Sequence, residues 1–358
     1  VFIELLLRRK ENYMREKPLE WANYIRAVAT IMVVVLHVCA PTLEGNKNLS
    51  NGIWHWANGI ESVTRVSVPL FLLLTGALLI DKKESITSIF KHRLTKIVFP
   101  FLFWSVFYNT YYSINSDAIK SFEDIWVQRK LIFNGLFTGS TYHFWYIYLI
   151  IGIYLFLPIL RTWLQNASKN QIKYFILIWT YTLFLKYPVI NSNFPNLDLT
   201  LFTGYIGYLV TGYYLVKYPI SYSKYTRLIC IGLFSIGYLI TSLGTFYASV
   251  NQGTFNNIFY DYLAPNVVLM TVSCFVFFQT FSFVKNRLNP VFDQIAKYSF
   301  GIYLIHVFFI YVLDDAQFQL FETSTIVDLF LKFIITFSIS FICIKFIDKL
   351  PFKKYLIG

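Results

Sequence analysis

The sequence predicts an all-α integral membrane protein of about ten transmembrane helices with both termini cytoplasmic. Three observations carry the prediction. Of 358 residues, 56% are hydrophobic, 20% aromatic and only 14% charged; with a mean hydropathy of +0.53 the chain is too apolar for a soluble domain of its length. Apolar runs of spanning length recur along it, and none reads as a convincing strand. If alternate connections are assigned to opposite sides of a bilayer, 23 of the 31 Lys and Arg fall on one side and 5 on the other, with Arg26, Arg65 and Lys332 inside spans. By the positive-inside rule the richer side, which holds both termini, is cytoplasmic.

In chain order the expected spans are 22–40, 60–80, 94–113, 142–160, 173–190, 200–216, 227–247, 261–283, 298–313 and 326–348, each near the roughly 20 apolar residues that cross a bilayer as a helix. The first, "ANYIRAVATIMVVVLHVCA", is apolar between Arg26 and His37. The second, "IESVTRVSVPLFLLLTGALLI", carries Pro69, and the third follows the basic "IFKHRLTK" and carries Pro100. The fourth opens on the aromatic "TYHFWYIYLI" and carries Pro158; membrane helices tolerate such prolines better than soluble ones. The polar "NSNFPNLD" separates the fifth from the sixth. Lys224 and Arg227 precede the apolar "LICIGLFSIGYLITSLGTFY" of the seventh, and "DYLAP" opens the eighth. The ninth is "YSFGIYLIHVFFIYVL" and the tenth ends before a basic segment. The organisation is therefore a cytoplasmic arm, 1–21, a ten-helix membrane domain, 22–348, and a basic cytoplasmic tail, 349–358. Met14 is taken as the start, with 1–13 as an upstream extension.

The net charge of +12 follows from topology and calls for no nucleic-acid partner, although anionic inner-leaflet lipid is attracted to it. Cys39, Cys230, Cys274 and Cys343 stand singly in apolar runs, without disulfide or zinc spacing, so no metal site is expected.

Ionisable residues inside a bilayer are expensive and face a cavity, a partner or a substrate path. Arg26 and His37 are eleven positions apart, roughly three turns plus 20°, so they share one helix face about 16 Å apart along its axis. With orientation fixed, Arg26 lies near the cytoplasmic end of the first helix and His37 near the external end. Glu61 and Arg65, one turn apart, are placed to pair at the external end of the second helix. His143 and Trp145 open the fourth helix at that level, and Tyr303 and His306 share a face of the ninth near mid-depth. Lys91, Arg93 and Lys96 cluster on the cytoplasmic side. Taken singly each has a plain reading: Arg26 snorkels, His37 bonds a neighbouring helix, Glu61 and Arg65 form a structural ion pair, Trp145 belongs to an interfacial belt and the basic cluster sets topology. The convergence of His37, Arg65 and His143 at one depth points beyond those readings.

In ordered pieces the chain resembles the acyltransferase-3 family of polytopic membrane O-acyltransferases. "RAVATIMVVVLH" is similar to its first-helix arginine, ten residues, histidine; "RVSVPLFLLLTGALL" to its second-helix signature, here ending Thr75, Gly76; and "HRLTKIVFP" to its basic third-helix motif, where this chain has His92, Arg93 and Lys96. "HFWYIYLIIGIYLFLP" and "YSFGIYLIHVF" resemble the family's later segments. The pieces span about 24 to 312 and resemble the stand-alone type without an extracellular hydrolase-like domain.

The resemblance implies transfer of an acyl group, acetyl foremost, from cytoplasmic acyl-CoA to a hydroxyl of a cell-surface or secreted glycan or its lipid-linked precursor, in a multi-pass protein of the bacterial cytoplasmic membrane. It implies no tightly bound cofactor, acyl-CoA being a co-substrate. A neutral imidazole takes a hydroxyl proton near neutral pH, which assigns His37 as general base, with an acyl-histidine as the variant. Arg65 or Arg26 would stabilise the oxyanion, and Arg93, Lys96 and Lys91 would hold the CoA phosphates. His143 and Trp145, with Glu61, Tyr303 and His306 in support, would bind the acceptor. The partners expected are acyl-CoA, the sugar acceptor and membrane lipid, with a homo-oligomer left open. The rival readings are a transporter or flippase for a glycan precursor, with His37, Glu61 and His306 relaying protons, and a non-enzymatic partner in a glycan-synthesis complex.

Overall fold

The computed structural model describes residues 20–45, 49, 51–115, 135, 139–185, 204–281, 289–318 and 326–358; residues 1–19 of the expected N-terminal arm and most of the connection 114–141 lie outside them. The described residues form α-helices with short 3-10 and π turns, and no strand among them. In chain order these are α1 (Glu20–Gly45), α2 (Gly52–Thr64), α3 (Ser67–Leu79), α4 (Thr95–Asn115), α5 (Trp145–Asn166), α6 (Lys169–Phe184), α7 (Ile206–Lys217), α8 (Lys224–Gln252), α9 (Pro265–Gln279), α10 (Asn289–Asp315) and α11 (Ile326–Ile347).

Seven stretches among the described residues are long and apolar enough to cross a membrane: Glu20–Gly45, Gly52–Leu79, Tyr142–Asn166, Lys224–Gln252, Ile258–Gln279, Asn289–Asp315 and Ile326–Ile347. The other three expected spans also coincide with helices, α4, α6 and α7. α4 has 21 residues, but its second half, "YNTYYSIN", is polar. α6 and α7 have 16 and 12 residues, short of spanning length, and the expected spans 173–190 and 200–216 run on into residues outside the described set. The second span is broken in two: the helix halts at Arg65, which caps α2 by donating its N–H to Glu61 O at 3.1 Å, and resumes at Ser67.

Local chemistry sets the ends. Ser168 with Gln171 and Ser223 with Thr226 make reciprocal capping boxes at the starts of α6 and α8, satisfying N–H groups that have no partner within the helix. Gly253, at φ +76°, closes α8 in the left-handed conformation open to glycine. Pro265 opens α9 at the first turn, where its missing N–H costs nothing.

α3 is the most enclosed element, with Leu70, Leu72 and Leu73 fully buried. It packs against α7, and there each helix presents a glycine to the other's backbone: a Cβ at Gly76 would collide with Leu209 O, and one at Gly212 with Leu73 O. Small residues let membrane helices approach this closely, which gives the Thr75–Gly76 ending a packing role. α1 lies between α3 and α10, α11 flanks α10, and α8 packs on α9 while Leu228, Ile236 and Leu243 face outward. Residues 349–358 fold back on the bundle: Trp104 Nε1 donates to Leu356 O at 2.8 Å, and Asp348 accepts from Lys297 at 2.6 Å, Lys353 at 2.9 Å and Tyr298 at 3.0 Å.

Candidate active site

One face of α1 organises the site. Arg26, Thr30 and Val33 line a cavity of about 290 Å³ among α1, α3, α5 and α10, whose wall also includes Arg93, Tyr146 and Tyr303. His37 lies one turn beyond Val33 on the same face. The two guanidiniums are thus at one end of an otherwise mainly apolar chamber, and the Tyr303 hydroxyl on its wall bonds His143 O beside the imidazoles.

At that far end three histidines from three helical elements meet. The His37 and His306 ring centroids are 5.2 Å apart, His143 and His306 5.2 Å, and His37 and His143 6.1 Å. His143 and His306 are buried, whereas His37 is partly exposed, so His37 is the ring with access. His306 Nδ1 stands 2.8 Å from Tyr303 O and 3.1 Å from Ile302 O. Only a protonated nitrogen suits two carbonyl acceptors, so the neutral ring carries its hydrogen on Nδ1 and its lone pair on Nε2.

The supporting groups come from elsewhere. Tyr303 donates its hydroxyl to His143 O at 2.5 Å, fixing the 3-10 turn Tyr142–Phe144 that leads into α5. Thr141 Oγ1 and His143 Nδ1 are 3.1 Å apart. Tyr108 of α4 inserts its hydroxyl into the backbone of α10, accepting from Phe308 N at 3.0 Å and donating to Leu304 O at 2.9 Å, on either side of His306. The Tyr142 ring centroid is 5.1 Å from that of His37.

At the opposite mouth, Arg93 lies in a π-helical segment, Ile89–Leu94, just before α4. Its guanidinium grips Glu84 with two hydrogen bonds, Nε to Oε2 at 2.9 Å and Nη2 to Oε1 at 2.5 Å. Arg161, buried on α5, adds Nη2 to Glu84 Oε2 at 3.0 Å and Nε to Leu79 O at 2.9 Å, tying the end of α3 and its connection to α5. Arg93 holds the Glu84 carboxyl down at about 2, with a smaller contribution from Arg161 and against the opposing cost of burial.

Arg65 and Trp145 line a second cavity, about 490 Å³, with Tyr205, Asn257, Asp261 and Tyr262. Arg65 pairs with Glu61, and its guanidinium lies over Tyr260, 4.3 Å from the ring centroid.

Of the residues singled out in the sequence, His37, His143, Tyr303 and His306 come together, Arg26 and Arg93 share the first cavity, and Arg65 and Trp145 share the second, with Glu61 buried behind Arg65. Lys91 and Lys96 do not join them: both are exposed and neither lines either cavity. Glu84, Tyr108, Thr141, Tyr142, Arg161 and Tyr262 were not legible as site residues. Glu84 and Arg161 had a signal, opposite charges in two connections assigned to the same side; the tyrosines and Thr141 had none in so aromatic a chain. Among the described residues no group of three or more His, Cys, Asp or Glu is arranged to hold a metal ion.

A family model described as an acyltransferase domain matches residues 19–345. No curated protein and no solved structure matches the chain.

Proposed function

Because this chain belongs to the acyltransferase-3 family, we propose that it moves an acyl group, acetyl foremost, from cytoplasmic acyl-CoA to a hydroxyl of a cell-surface or secreted glycan or its lipid-linked precursor. The observation that carries this reading is the face of α1 on which Arg26 and His37 lie: it runs along a mainly apolar chamber with cations at one end and ends in a cluster of imidazoles. The acyl and pantetheine parts of the donor suit the apolar wall, and its phosphates suit Arg93 and Arg26.

In the proposed reaction His37 removes the acceptor hydroxyl proton as the oxygen attacks the thioester carbonyl. The tetrahedral intermediate breaks its carbon–sulfur bond, and the leaving thiolate takes the proton back from the imidazolium, giving the ester and free CoA thiol. His306 and His143 orient His37 and limit the water around it. Arg65, beside the second cavity, supplies positive charge for the oxyanion. The basic-residue asymmetry supports placing the Arg93 mouth on the cytoplasmic side.

The test is incorporation of label from acetyl-labelled acetyl-CoA into glycan by membranes containing the protein, compared with membranes lacking it. Ester-linked label that mild base releases is expected; no incorporation into any glycan or lipid-linked sugar fraction would reject the reading.

A further inference from the structure

The second cavity is a built structure. Trp145 stacks on Tyr262 with centroids 5.6 Å apart and planes 24° apart, and the Tyr205 ring centroid is 6.0 Å from that of Trp145, its plane tilted by 36°. The segment between α8 and α9 that supplies Asn257 and Tyr262 is pinned at several points. Ile258 N donates to Asn256 Oδ1 at 3.0 Å and Leu263 N to Asp261 Oδ1 at 2.7 Å; Asn266 Nδ2 donates to Phe259 O at 2.7 Å, and Tyr260 donates to Asn58 Oδ1 at 2.5 Å. The Tyr208 hydroxyl donates to Tyr262 O at 2.5 Å. An aromatic platform is therefore held in place before any ligand arrives, with the amide of Asn257 and the carboxylate of Asp261 at its exposed rim.

This chemistry selects among ligands. A volume of about 490 Å³ is within the usual range for small-molecule sites, in which aromatic walls and a few polar groups fix the orientation. Arg65 is the cation of the cavity; Glu61 pairs with it and Asp261 shares the lining, so no excess positive charge favours an anion. A flat C–H face for Trp145 and hydroxyls for Asn257 and Asp261 are the features of a pyranose ring. The groove between α4 and α10, lined by Leu102, Phe103, Val106, Phe107 and Phe308, is almost wholly apolar and suits lipid chains instead.

We propose that the recess of Trp145, Tyr205, Tyr262, Asn257 and Asp261 is the subsite for one uncharged pyranose ring of the acceptor, seated face-on against Trp145 with Tyr262 as its backing. The proposal rests on the acyl-transfer reading for its place in the reaction: Trp145 is two residues from His143, whose ring is 6.1 Å from that of His37, so one short segment links the recess to the histidine cluster.

The test is saturation-transfer NMR on the purified full chain in detergent, with methyl glycosides of glucose and N-acetylglucosamine as neutral probes and of glucuronic acid as the charged one. Transfer to the ring protons of at least one neutral probe is expected, with affinity reduced about tenfold by Tyr262→Leu, the usual worth of an aromatic contact, and kept by Tyr262→Phe. Asn257→Ala, an exposed position that leaves the fold alone, should weaken binding by about three- to tenfold, the net worth of a hydrogen bond. No signal from either neutral probe, equal binding by all variants, or stronger Tyr262-dependent binding of the glucuronide would overturn the subsite. Binding is read without acyl transfer, so the two ideas fail separately: sugar binding without transfer rejects the activity alone, and transfer without a Tyr262-dependent sugar signal rejects the subsite alone.

Discussion

Trp145 and Tyr146 are adjacent in the chain and face different cavities, Trp145 the recess it shares with Arg65 and Tyr262, Tyr146 the chamber it shares with Arg26 and Arg93. The start of α5 is thus a partition between two spaces. His143 is buried just before it, beside His37 and His306. Under the proposed transfer this arrangement would let donor and acceptor approach one base from different directions.

His37→Ala should insert and accumulate as the wild type does yet lose about 10² to 10⁴ in transfer rate, the usual worth of a positioned general base. The measurement is label transfer to glycan in membranes at matched protein level. Wild-type rates from this variant would remove His37 from the chemistry.

Of Lys91, Arg93 and Lys96, only Arg93 lines the chamber, so Arg93→Gln should raise the acyl-CoA KM while Lys91→Gln and Lys96→Gln leave it nearly unchanged. Lost ground-state binding appears in KM rather than kcat. Equal effects from all three would mean a diffuse field, which added salt should then abolish.

The Glu84 clamp has a pH signature. Its carboxyl sits at about 2 rather than the ordinary 4.5, held there first by hydrogen bonds from Arg93. A carboxyl depressed by folding contributes fully above its ordinary value and loses that contribution as pH falls toward its folded value. The difference in melting temperature between wild type and Glu84→Gln should therefore be constant from neutral pH to about pH 5 and close as pH falls from about 4.5 to 2. A pH-independent difference would show that the carboxylate charge is not what Arg93 and Arg161 hold.

Tyr303→Phe removes the hydroxyl that bonds His143 O and keeps the ring. Transfer should fall about three- to tenfold in kcat, one hydrogen bond's worth, with little change in donor KM, because the loss acts through the placing of His143. A change confined to donor KM would instead make Tyr303 a wall of the chamber.

Sidedness is open to single-cysteine labelling in a chain whose four native cysteines are replaced. Lys83→Cys, exposed after α3, should resist an impermeant thiol reagent in intact cells and react after lysis, whereas Asn257→Cys should react in both. The reverse pattern would invert the orientation and every sided assignment with it.

The sequence by itself determined the helical membrane class, the pairing of Glu61 with Arg65 and the shared face of Arg26 and His37. These depend on hydropathy and on spacing within one helix, which a 3.6-residue period converts directly into geometry. It also brought out the histidines from three helical segments, because a polar group inside an apolar run is conspicuous wherever the run packs. Only the tertiary structure decided that His37, His143 and His306 touch, that Arg93 turns into the chamber while Lys91 and Lys96 do not, and that Glu84, Arg161 and Tyr108 hold the parts together. Those relations join residues up to about 270 positions apart, through the close approach of helices at positions such as Gly76 and Gly212. Hydropathy says that a helix is buried in the membrane, but which of its neighbours it meets, and at what rotation, is fixed by the packing of side chains between helices.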